Sequence, residues 1–272
     1  MSDISIQSQQ IRRYKLLKTE HSRLGTLENK NAIQADIECC FLQEKNSKQQ
    51  YHLKTTNYGQ TNNKGLYGLS KDLQVLKSDI VVSVSEKGMI EDVVNIEEIR
   101  AKWQSIKDKI MTKHKSDLYN KETEEKITEL VEDKERFASS IRYLPPFVSL
   151  FSGFSAQTNA EEHYREKQFF IAKDKMPIIL QTQKMKKSQI PDVIEIIAEG
   201  KLDEDNYEQP GVARFVKTAR DNLRAKSDPK LQYIERYAFN NSSLPVQSLC
   251  MSTVTIPGFL QQNEKSILKE VL

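Results

Sequence analysis

The most regular alternation in the chain lies at residues 33–41. Ile33, Ala35, Ile37, Cys39 and Phe41 alternate with Gln34, Asp36, Glu38 and Cys40, the period of a strand with one buried face. Arg13–Thr19 fits an extended partner before it, and Tyr51, Leu53 and Thr55 carry the alternation onward. Leu66–Lys77 is ambiguous in period and is read as a short helix. Val81–Ser85, the turn residues Glu86, Lys87 and Gly88, and Met89–Val94 then spell a hairpin.

The period changes at Asn95. Asn95 with Glu98 three residues on has the form of a capping box, and Val94 and Ile99 occupy the staple positions around it. Ile96, Ile99, Trp103, Ile106 and Ile110 follow at spacings of three and four, a single apolar stripe. A second helix is expected over about 120–143, with Ile127, Leu130, Val131, Phe137 and Ile141 on one face. Pro145 and Pro146 end it, because the residue before a proline is pushed out of the helical region. Two such helices joined by a short polar link make a hairpin whose stripes need an apolar surface to cover.

Strand patterns return at His163–Ala172, Met176–Met185 and Val193–Glu199, and again at Leu231–Phe239 and Leu244–Val254. A further helix is expected at about 211–226, with Val212, Phe215, Val216, Ala219 and Leu223 inward, and a short one at Ser266–Leu272. Strands joined by short turns pair antiparallel, and the helices come in clusters rather than alternating with strands. The expected fold is therefore α+β: one large curved antiparallel sheet of about eight to ten strands. An inserted helical hairpin (about residues 96–143) covers its concave face. The whole of 1–272 is read as a single domain, since no repeat or linker divides it.

Composition narrows the function classes. Forty-one Lys and Arg against thirty-eight Asp and Glu leave a net charge of +3 in 272 residues. So small a balance creates no field for nucleic acid or anionic membranes, and no nucleic-acid partner is expected. The uncharged stretches Tyr143–Ala160 and Phe239–Asn263 are broken by prolines and diluted with Ser, Asn and Gln. No membrane span is expected. Met1–Lys15 has no apolar core of a secretory signal, and Cys39, Cys40 and Cys250 have no metal-ligand spacing. Reduced, buried thiols in a cytoplasmic protein are the expectation.

Catalytic chemistry is missing at the level of motifs. His21, His52, His114 and His163 are scattered, and none stands in HxxxH or HExxH spacing. Glu161-Glu162-His163 reads as a surface patch rather than a metal site, since neighbours on a strand diverge. No phosphate loop, dinucleotide fingerprint or nucleophile elbow is present, and Ser152-Gly153-Phe154 lacks the glycines an elbow needs. No catalytic, cofactor-binding or metal-binding residue is assigned, and no cofactor is expected.

Three segments stand above this background. The loop 143–154 carries Phe147, Leu150, Phe151 and Phe154, which either plug the core or form an exposed patch for a partner. Lys217, Arg220 and Arg224 share one side of the expected third helix, either an ordinary solvated face or a seat for an anion or acidic partner. Leu244–Ile256, with Val254 and Ile256, lacks the charges that protect strand edges, and fits an edge that adds to another chain or a covered central strand. The reading drawn is a non-enzymatic interaction or structural subunit of a larger, bacterial or phage, assembly, with another protein chain as partner in a homo- or hetero-oligomer. The alternative is a carrier or binding module that holds an apolar ligand between curved sheet and helices.

Overall fold

The structure is a computed structural model. It describes residues 11–45, 47–115, 121–155, 165–171, 174–186, 192–206, 210, 213–214, 229–240 and 243–271; residues 121, 165–171 and 174–186 are described by backbone alone. The fold is α+β, with a large antiparallel sheet and five α-helices among the described residues. Strands β1 (Ile11–Leu24), β2 (Leu27–Lys45) and β3 (Lys48–Gln60) lead into helix α1 (Gly65–Leu73), a 3₁₀ turn at Gln74–Lys77, and the short strands β4 (Asp79–Val84) and β5 (Ile90–Val93). Helices α2 (Ile96–His114), α3 (Lys121–Glu132), α4 (Lys134–Arg142) and α5 (Phe147–Leu150) follow. Then come β6 (Arg165–Ile171), β7 (Asp174–Lys186), β8 (Ile194–Leu202), β9 (Lys230–Phe239), β10 (Gln247–Ile256) and β11 (Leu260–Val271). The strand order is β5-β4-β3-β2-β1-β11-β10-β9-β8-β7-β6, so the final strand returns beside the first.

The chain forms two compact units: residues 1–17, 33–153 and 268–272 make the first, and 18–32 with 154–267 the second. In the first unit, alternation works as the sequence implies. Tyr14, Leu16, Ala35, Ile37, Cys39, Tyr51, Leu53, Ile80 and Val82 are buried. The opposite side of the same strands is a ladder of alternating charge: Glu38 stands across from Lys54 and Lys54 across from Asp79. Arg13 reaches Glu38 at 3.1 Å and His52 reaches Asp79 at 2.7 Å. Charged cross-strand pairs of this kind keep one face solvated while the other is buried. Two register shifts in β2, after Gln34 and after Phe41, limit the pattern, and Phe41 is left 37% exposed against the edge of the Tyr51 ring.

Helix α2 buries the predicted stripe at Ile96, Ile99, Trp103 and Ile110; Ile106 is half-buried. The indole N–H of Trp103 donates to Thr128 Oγ1 of α3 at 3.0 Å. Two details correct the sequence reading. Asn95 stands at the N-cap, but its side chain does not cap the helix. Its Oδ1 accepts from the Val81 N–H at 2.8 Å, so it ties the helix entry to β4. The single helix expected over 120–143 is two, because Asp133 adopts extended backbone and its carboxylate accepts from the Arg136 N–H at 2.9 Å. After α5 the chain returns to the hairpin turn: Gly153 N–H donates to the Gly88 carbonyl at 3.1 Å, and Gly88 holds φ +74°, where only glycine is unstrained.

In the second unit β10 pairs with β9 and β9 with β8, both antiparallel. Phe154, Ile196, Ala198, Tyr237, Phe239 and Cys250 form one buried cluster. The short helix expected at Ser266–Leu272 is strand as far as Val271, part of β11, where Ser266 and Leu268 are buried and Lys265 and Lys269 exposed. Pairing within the sheet overrides the weak local helical preference of that segment.

Candidate functional site: a polar inward face in the second unit

Strand pairing brings six side chains of β9 and β10 into two adjoining rows. Tyr233, Glu235 and Tyr237 are successive inward positions of β9; opposite them stand Ser252, Cys250 and Ser248 of β10, in that order. All six are buried, Glu235 and Tyr237 completely. The Tyr233 hydroxyl donates to the Glu235 carboxylate, and the Tyr237 hydroxyl lies 3.7 Å from Cys250 Sγ. Ser248 Oγ, on a residue 1% exposed, has no hydrogen-bond partner. Apolar residues flank the patch: Ile196 and Ala198 on β8, Phe154 with its ring 5.6 Å from Tyr237, and Leu231 and Val254 at the far end of the strand pair.

The adjoining part of the same unit is also polar. Lys18 and Glu20 of β1 and Glu264 of β11 form a chain of ion pairs, Lys18 Nζ lying 2.5 Å from Glu20 and 3.3 Å from Glu264. Asn31 Nδ2 donates to Glu20 at 3.3 Å and Gln262 Nε2 to Glu264 at 2.9 Å. Burial by itself would push the Lys18 ammonium down, but the charges of Glu264 and Glu20 outweigh it and hold it above its ordinary value. These three side chains are only 15%, 20% and 32% exposed.

Such a face is costly. A buried carboxylate loses several kcal/mol of hydration that only good hydrogen bonding restores, and an unpaired buried hydroxyl forfeits about 1–3 kcal/mol. Apolar residues at these positions would build a more stable core. Departures of this kind from apolar patterning concentrate at functional sites. Among the described residues no histidine stands opposite Cys250 in the pairing, and Glu235 lies across from Cys250 on β10 and Ala198 on β8. Among the described residues no group of three or more His, Cys, Asp or Glu is placed to hold a metal ion. What the face can do is hydrogen-bond.

The residues singled out in the sequence lie elsewhere or deeper than a partner surface requires. Phe147, Leu150 and Phe151 are buried in the first unit, with the Phe151 ring 5.2 Å from Tyr51, and Phe154 is buried in the second. Large apolar side chains gain about 1.5–3 kcal/mol each by burial, and here the loop gains it by folding inward. Val254 and Ile256 are also buried. Of the two readings of Leu244–Ile256, an edge or a covered central strand, the pairing selects the second: β10 lies between β9 and β11, and the ends of the strand order are β5 and β6. Lys217, Arg220 and Arg224, with most of the helix expected at 211–226, fall outside the described residues. Sequence reasoning missed the Glu235 patch, although Tyr-x-Glu-x-Tyr at 233–237 and Ser-x-Cys-x-Ser at 248–252 are polar runs at strand period. Only the register shows that they face each other.

No helix among the described residues is long and apolar enough to cross a membrane. No protein-family model and no curated protein matches this sequence. Two solved structures align with nearly all of it at 7% identity. One is a loop L8 deletion mutant of OmpT, an outer membrane protein of Vibrio cholerae, covering 97% of this chain and 99% of that one at a TM-score of 0.22. The other is a DUF1329 family protein from Desulfovibrio piger, covering 95% and 83% at a TM-score of 0.17. At those scores neither likeness bears on fold or function.

Proposed function

We propose that this chain is a non-catalytic binding module that holds a small ligand against the inward face of its second unit. The observation that supports this is the concentration of hydrogen-bonding side chains on an interior face where stability alone favours apolar ones. It differs from the carrier alternative of the sequence reading, which places an apolar ligand between curved sheet and helices: here the ligand is amphiphilic or polar and lies on the β9–β10 face. The other reading, a subunit that binds its partner through 143–154 and 244–256, draws less support, because the chain itself covers Phe147, Phe151, Val254 and Ile256.

A thermal-shift screen tests the proposal, since any ligand that binds only the folded state raises the melting temperature. The panel comprises fatty acids, lysophospholipids, alkyl glycosides, sugars and amines. At least one class is expected to stabilise the wild type and to have less effect on Glu264→Ala. Equal shifts in both proteins, or none from any class, would overturn the reading.

A further inference from the structure

We draw no further inference here: the strongest candidate, the outer edge of β6 (Arg165–Ile171) at the end of the strand order, carries nothing, because β6 is described by backbone alone and nothing in the structure shows what covers it.

Discussion

Trp103 is the side chain on which the helical layer of the first unit turns, and replacing it has a cost that can be worked out. The residue is fully buried, and its indole N–H donates to Thr128 Oγ1 at 3.0 Å. Trp103→Ala removes the largest fully buried side chain and leaves a cavity, a change that costs about 3–5 kcal/mol. Trp103→Phe keeps most of the apolar contact and loses the hydrogen bond, so about 1–2 kcal/mol is expected. Against a total stability of roughly 5–15 kcal/mol, the alanine variant loses about a fifth or more. Equilibrium unfolding in urea, followed by circular dichroism at 222 nm, reads both. With a slope of about 2 kcal/mol per molar, the alanine midpoint should fall by roughly 1.5–2.5 M and the phenylalanine midpoint by under 1 M. The wild-type emission should be blue-shifted and poorly quenched by iodide, since this is the only tryptophan in the sequence. A solvent-like emission, or an alanine midpoint within 0.5 M of wild type (roughly 1 kcal/mol at that slope), would refute the packing argument.

Other consequences can be checked alongside. Burial alone would push the Asp72 carboxyl up, but hydrogen bonds from Lys113 and His114 prevail and hold it below the usual 3.8. A lowered folded-state value means stability present above that pH and lost as pH falls below it. Asp72→Asn should therefore be less stable than wild type at pH 7, and the difference should close below pH 3.8; a gap that stays constant into acid would contradict the pairing. All three cysteines are free and buried, and burial pushes the Cys39 thiol up to about 12 despite the nearby Arg12. Iodoacetamide at pH 8 should leave Cys39 unmodified in the folded protein and label all three in urea, as read by mass spectrometry; rapid native labelling of Cys39 would contradict its place in the core. Val254→Lys and Phe151→Asp each put an unpaired charge at a buried position and should give insoluble or unfolded protein. A soluble, folded product from either would mean that the segment is not core.

Much of the fold could be read from local pattern because burial imposes period on sequence. Ala35, Ile37 and Cys39 alternate and are buried; Ile96, Ile99, Trp103 and Ile110 recur at helical spacing and are buried. The α+β class follows from short turns between strands and clustered helices, and both are properties of neighbouring residues. The break at Asp133 left no trace in the stripe, since Leu130 and Phe137 are seven residues apart, about two helical turns. What local pattern could not decide were matters set by residues far apart in the chain. Asn95 has the form of a cap, yet Val81 competes for its side chain and takes it. Ser266–Val271 passes for helix until β-pairing claims it. The uncharged segment at 244–256 has the composition of an edge, and whether it is one depends on strands that begin at residues 230 and 260. The polar face arises in the same way. Tyr233, Glu235 and Tyr237 on one strand and Ser248, Cys250 and Ser252 on another are two unremarkable runs until register sets them side by side. Periodicity is a local signal of which face is buried, whereas which residues share that face is settled only by the long-range hydrogen bonds of the sheet.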